Sequence, residues 1–403
     1  MEDLNNTAIE LLNIYGFSEE MNRYPKIYIF GAGMVGKKIY DYLKNIFLAD
    51  RVCSFFVSEK VESTIDNIQV KRINKDDIDC RGIVLLAAKY DTRKELMSVC
   101  KKINVNNVKE ITVFDDRDYR YYSTISEIAY PLELKLWYKT VTSKELNLKN
   151  PRTFNEKINW AKIYDRNPIK TILTDKVLVR DWVEERIGKE YLIPCFGQWE
   201  NPEDIDYDKL PNSFIIKCNH GCGYNILIRD KKKMNVAEIK SRLNIWLKTN
   251  YAFVSGLELQ YKNIIPQILV EELLPLDENN DLPDYKFFCF DGQVFCSYVR
   301  INSQKGHDDG TLGFFDRNFN LMPYFRASYK PMLQNNVEKP QNYQKMVEIA
   351  ETLSKGFSHV RVDLYNIKGK IFFGEMTFST ASGIGFFEPD DFDLIMGSKW
   401  NIN

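Results

Sequence analysis

Two fold classes in series are predicted: an α/β unit over residues 1–120, then an α+β unit over residues 121–403. Three observations carry this. Residues 26–113 alternate short apolar runs with helical stretches, the pattern of a parallel sheet with crossover helices. Beyond Thr153 the order changes to helices first and a strand-rich half afterwards. With 403 residues, 44% of them hydrophobic and 13% aromatic, the chain can fill more than one core.

The first unit reads as strand 26–30, a helix from Met34 to about Phe47, strands 51–57 and 82–88, a helix near Thr92–Ile103 and strand 110–114, so four strands fit. Gly31, Gly33 and Gly36 fall between the first strand and helix, where glycines allow a tight turn and let a phosphate approach the helix N-terminus. A dinucleotide also asks for an acidic residue ending the second strand, and "FFVSEK" offers only Glu59. The unit is Rossmann-like, and its glycines serve either a nucleotide or nucleotide-sugar, or packing alone.

Residues 121 to about 150 connect the units through a helix in "ISEIAYPLELKLWYKTV", which Pro131 starts or breaks. Helices are expected over 153–164 and 168–187, followed by strands in "FIIKC", "QILVEELL", "YKFFCFDGQVFCSYV" and "HVRVDLYNIKGKIFFGEMTF". Asp291-Gly292 and Lys368-Gly369 are hairpin signals.

Charge is balanced, with 55 Lys and Arg against 56 Asp and Glu, so no global field favours nucleic acid or an anionic membrane. Any anion must be bound locally. The start, "MEDLNNTAIELL", lacks a signal pattern, and no apolar run reaches the roughly 18 residues needed to cross a bilayer. A cytoplasmic protein without a transmembrane segment is expected, and its eight cysteines read as reduced core residues.

Two chemistries compete for "FIIKCNHGCGYN". Cys218, His220 and Cys222 alternate as soft metal ligands do, while Lys217 followed by Gly221 and Gly223 is also a phosphate clamp. Structural zinc usually takes four ligands in paired spacing, and the chain has three histidines and no second cysteine pair of that kind.

Asp363 and Glu375 lie on adjacent strands of the last hairpin, and the loop decides how they relate. A two-residue loop places them on opposite faces. A three-residue loop, Ile367-Lys368-Gly369 with Gly369 left-handed, keeps them diagonal on one face with Arg361 and Thr377. Such a row among apolar neighbours is costly unless something satisfies it, and Mg2+ would; the bland alternative is a surface ladder of charges. Lys176, Lys217 and "VEELLP" at 270–275 lie upstream.

That series, lysine, lysine with a glycine loop, acidic hinge, Arg-x-Asp and Glu-x-Thr, resembles the ATP-grasp enzymes. Residues from about 128 to 397, with "NPRTFNEKINWAKIYDRNP", "LTDKVLVRDWV", "YLIPCFGQW" and "HVRVDLYNIKGKIFFGEMTFSTASG", look like the TupA-like ATP-grasp family of bacterial cell-surface polysaccharide clusters. The resemblance implies a two-lobed domain using ATP and Mg2+. Lys176 and Lys217 would reach the phosphates, with Gly221 and Gly223 in the loop covering them. Glu271 and Leu274 match the adenine hinge, and Glu278 a ribose ligand. Asp363 and Glu375 match the metal ligands, with Thr377 where many members carry asparagine. Arg361 would steady the transferred phosphoryl group and Arg300 assist.

The implied activity is a carboxylate–amine ligase acting through an acyl phosphate, with a uronic acid carboxylate and an amino acid or small amine as substrates, peripheral to polysaccharide assembly machinery. Its rivals are a glycosyltransferase or sugar-nucleotide enzyme, and an ATP-dependent sugar kinase.

Overall fold

A computed structural model describes residues 11–59, 63–88, 90–113, 122–277, 280–301, 310–333 and 336–402, and the chain divides into two compact units, 1–133 and 134–403. Among the described residues no helix is long and apolar enough to cross a membrane.

In the first unit, β1 (Ile27–Phe30), β2 (Val52–Val57), β3 (Ser63–Ile65), β4 (Ile68–Arg72), β5 (Ile83–Leu86) and β6 (Val108–Glu110) form one sheet in the order β3-β4-β2-β1-β5-β6. All neighbours are parallel except the hairpin β3–β4. Six strands thus replace the expected four, because Asp66 and Asn67 adopt positive φ (47° and 67°) and fold two short strands into an edge hairpin. The last strand also ends earlier than expected, at Glu110; Phe114 lies outside the described residues.

β1 and β5 are buried at every position, as central parallel strands covered on both faces are. Helix Met34–Asn45 packs Ile39 and Leu43 on one face with Ile29 and Phe55, and helix Tyr90–Lys102 packs Leu96 and Cys100 on the other with Phe30 and Phe56. A Cβ on Gly31 (φ 123°) would stand 2.4 Å from Ala87 O, and one on Gly36 1.9 Å from Gly31 O, whereas Gly33 faces open space. Two of the three glycines are therefore required by the backbone itself.

The second unit begins its site-forming part with helix Phe154–Tyr164, started by a capping box between Thr153 and Glu156. The helix expected over 168–187 is two helices, Ile169–Thr174 and Val179–Ile187. The break occurs because Asp175 Oδ1 accepts from the Val177 amide at 2.8 Å, an alternative to continuing the helix.

Two sheets follow. β7 (Cys195–Trp199), β8 (Phe214–Cys218), β9 (Asn225–Ile228) and β10 (Ile268–Glu272) are antiparallel in the order β7-β10-β8-β9, with Ile239 and Leu243 of helix Val236–Leu247 in their core. The larger sheet runs β15-β13-β12-β11-β16-β17, from β11 (Asp284–Phe290), β12 (Gln293–Ile301), β13 (Thr311–Asp316), β15 (Lys330–Pro331), β16 (His359–Ile367) and β17 (Lys370–Thr377); β14 (Phe325–Arg326) and β18 (Phe387–Glu388) pair separately.

Strand alternation gives the larger sheet two different faces. Tyr285, Phe287, Cys289, Val360, Val362 and Leu364 pack with helix Tyr343–Ser354. The opposite face divides along its length. Phe288, Phe290 and Tyr298 meet Phe154, Phe392 and Trp400, each fully buried ring contributing about 2 kcal/mol. Farther along the same strands the face turns charged, with Asp284 and Lys286 on β11 beside Asp363 on β16.

Candidate active site

The turn of the β16–β17 hairpin is the two residues Lys368 and Gly369 (φ 51° and 85°), with Ile367 paired to Lys370. Of the two loops weighed from the sequence, the two-residue one is formed. Continued regularly, this register would put Glu375 on the face away from Asp363. A bulge at Gly374 adds one residue: Leu364 pairs with Phe373, but Asp363 pairs with Glu375 and Arg361 with Thr377. The four polar residues therefore share one face, directly opposed. A Cβ on Gly374 would stand 3.1 Å from Asp363 O, so the bulge has little room for any other residue.

Arg361 ties the row together. Its Nε donates to Asp363 Oδ1 (2.7 Å), and its Nη2 donates to Asp363 Oδ2 (2.8 Å), Glu375 Oε1 (2.9 Å) and Thr377 Oγ1 (2.9 Å). Lys286 bonds Asp363 from the neighbouring strand and Asp284 at 2.7 Å, while Arg300 Nη2 is 3.8 Å from Asp284. Burial pushes Asp363 up to about 6, against the pull of Arg361 and Lys286. Glu375 goes the other way: burial alone would raise it, but Lys286, Arg361 and Lys176 hold it down at about 2.

Across from this row lies a cleft lined by Thr174, Lys176, Arg180, Lys217, Glu271 and Glu375. Lys176 occupies the helix break; its amide donates to Asn219 O (3.2 Å) and its Nζ to Gly221 O (2.6 Å), which fixes the lysine against the glycine loop. Burial lowers its pKa, opposed by Glu375. Lys217 on β8 bonds Glu271 Oε2 on β10 (2.6 Å), and Arg180 Nη1 bonds the other oxygen, also at 2.6 Å.

The remaining candidates are more scattered. Leu274 is buried in a small apolar cluster with Ile193 and Phe372. Arg300 ends the charged row, its buried Nε without a hydrogen-bond partner among the described residues. Glu278 lies outside the described residues. Gly223 takes φ 73°, and a Cβ on Gly221 would meet the Tyr224 and Tyr251 rings within 2.8 Å. Around that loop the zinc alternative finds no ligand set: Cys218 is in the β8 core, and the His220 ring nitrogens engage Asn219 Oδ1 (3.2 Å) and Trp246 O (2.9 Å). Among the described residues no group of three His, Cys, Asp or Glu could hold a metal.

Sequence reasoning missed Asp284, Lys286 and Arg180. The first two were readable, since Asp284 and Lys286 are two apart in a strand whose other residues are aromatic or cysteine, and so point to one face. Arg180 meets Glu271 across 91 residues of chain, and no local pattern announces that.

The donor set decides what this row can hold. Asp363, Glu375 and Thr377 present only oxygen, the ligand type that a hard cation such as Mg2+ with phosphate co-ligands takes. A family model described as TupA-like ATPgrasp matches residues 156–401, which include both lysines and the whole row. The chain belongs to the TupA-like ATP-grasp family. As an ATP-grasp protein it is an ATP-dependent ligase that forms carbon–nitrogen bonds and yields ADP, with ATP and Mg2+ as cofactors.

Solved structures similar to this ATP-grasp chain include D-alanine–D-alanine ligase from Bacillus anthracis, at 12% identity over 93% of this chain and 97% of that one (TM-score 0.30). The Helicobacter pylori D-alanine–D-alanine ligase matches at 12% over 61% and 69% (0.32), and ATP-grasp ligase PsnB, complexed with a precursor variant, Mg and ADP, at 10% over 93% and 96% (0.32). At such scores these likenesses carry no argument. No curated protein matches the chain.

Proposed function

We propose that this ligase joins the carboxylate of a uronic acid to an amino acid or small amine in the assembly of a cell-surface polysaccharide. The observation that carries the ligase chemistry is the direct opposition of Asp363 and Glu375, bridged by Arg361, facing Lys176 and Lys217 across one cleft. The polysaccharide context is supported by the chain's resemblance to a family of such clusters.

Bound MgATP supplies the phosphoryl group that converts a carboxylate into an acyl phosphate. The chain's residues position and neutralise, which is most of what phosphoryl transfer asks of a protein. Asp363, Glu375 and Thr377 would hold the metal; Lys176 and Lys217, with the backbone around Gly221 and Gly223, would hold the phosphates. Arg361 reaches both carboxylates and so sits where charge on the transferring group develops.

The test is product analysis with MgATP, glucuronate and a panel of amino acids and amines. ADP and phosphate appearing only when uronate and amine are both present supports the proposal. AMP, or phosphate retained on the sugar, overturns it, the latter in favour of a sugar kinase.

A further inference from the structure

Asp284 Oδ1, at one end of the charged row, is buried without a hydrogen-bond partner among the described residues, and its residue is 5% exposed. Arg300, directly opposed on β12, does not complete it: Nη2 lies 3.8 Å from the other Asp284 oxygen. An ionised carboxylate with one idle oxygen is costly at that depth.

Lys286 stands between this carboxylate and a metal ligand. Its Nζ bonds Asp284 Oδ2, two residues back on its own strand, at 2.7 Å, and also bonds Oδ2 of Asp363, directly opposed on β16. The Asp363 end is crowded, because the same Oδ2 accepts from Arg361 Nη2 (2.8 Å) while Oδ1 accepts from Arg361 Nε (2.7 Å). Each Asp363 oxygen thus already carries a cationic donor.

A metal ion and an ammonium on one oxygen repel, so for Mg2+ to bind Asp363 one of the two side chains has to withdraw. Arg361 is poorly placed to do so. Its Nη2 also donates to Glu375 Oε1 and Thr377 Oγ1, both at 2.9 Å, and its departure would take the row apart. Lys286 gives up one bond and has an oxygen waiting on a carboxylate it already touches.

We propose that Lys286 is a built-in cation that holds Asp363 while the metal is absent, and that Asp284 is the positioning residue that receives its ammonium when Mg2+ takes that place; this rests on the metal reading of the row given above. The exchange transfers no proton and forms no covalent bond. Asp284 gains the contact that Asp363 gives up, and so sets how readily the lysine yields.

The test uses the full chain at pH 8 with Mn2+ alone as probe, an oxygen-binding octahedral cation whose free fraction is read by electron paramagnetic resonance. Lys286→Met removes the competitor and should tighten Mn2+ binding about tenfold, whereas Asp284→Asn leaves Lys286 no second carboxylate and should weaken it about tenfold. Charge alone would give the same two signs, and the effects would then add. Exchange predicts otherwise: with Lys286→Met in place, Asp284→Asn should change Mn2+ affinity by less than about twofold, because Asp284 acts only through the lysine. Additive effects overturn the exchange, and so does a Lys286→Met chain that binds Mn2+ no more tightly than wild type. Should Lys286→Met fail to fold, Lys286→Gln takes its place in the same cycle. The metal reading is scored separately with Glu375→Ala. Mn2+ bound there as tightly as by wild type overturns the row as a metal site and the exchange with it; binding lost there beside additive effects at Asp284 and Lys286 overturns the exchange alone.

Discussion

Glu375 faces Asp363 across β16 and β17 only because Gly374 is an extra residue in its strand. The type of turn set by Lys368 and Gly369 would otherwise send the two carboxylates to opposite faces. Gly374→Val crowds Asp363 O, from which a Cβ at this position would stand 3.1 Å, and should remove the bulge, turn Glu375 to the apolar face and reduce ATP turnover by about a hundredfold or more, while far-UV circular dichroism stays close to wild type. Undiminished turnover would show that Glu375 is not needed on this face.

Asp363, pushed up to about 6, must lose its proton to bind a metal. Protons therefore compete with Mg2+ below that pH and not above it. Apparent Mg2+ affinity, by titration of nucleotide binding at fixed ADP, should fall roughly tenfold per pH unit below 6 and level off above it. A flat profile from pH 5 to 7 would contradict the assignment.

His359 is enclosed by Phe154, Phe290 and Trp400, and burial lowers its pKa to about 3. The folded state holds it neutral while the unfolded chain protonates it near 6.5, so stability is complete above that pH and is lost as pH falls toward 3. The slope from this residue should be about 1.4 kcal/mol per unit, read from urea midpoints and removed in His359→Gln.

The capping box at Thr153 starts the helix that carries Asn155 and Asn159, whose side chains bond Gly385 O (2.7 Å) and Gly383 O (2.9 Å) of the segment after β17. Thr153→Ala should cost about 1 kcal/mol in a thermal melt. Because the helix anchors that segment, turnover should fall more than stability predicts.

A chain starting near Ser123 keeps every described residue of the cleft and the row, and should bind MgATP with affinity within about threefold of the full chain, measured by calorimetry. Loss of binding in a folded truncation would show that the first unit contributes to the site.

Arg361, Asp363, Glu375 and Thr377 were legible because strand alternation spaces them by two, and Lys176 and Lys217 because lysines flank a glycine loop. What made the first four one row was not legible, since a bulge leaves no turn residue to read. The strand β3–β4 hairpin was hidden for a similar reason: Asp66-Asn67 carries no glycine, yet both residues take the left-handed region. The break at Asp175 depended on an aspartate competing for backbone amides inside an otherwise helical pattern.

Glu271 has two cationic neighbours, one for each oxygen, and only Lys217 follows directly on the strand that leads into the glycine loop. Glu271 is thus already an anionic partner for that lysine. Were Lys217 to turn to a phosphate, as proposed, Arg180 would remain to neutralise the carboxylate left behind. The exchange would then strand no bare charge in the interior, the lysine could change partners in both directions, and release would be the mirror image of capture.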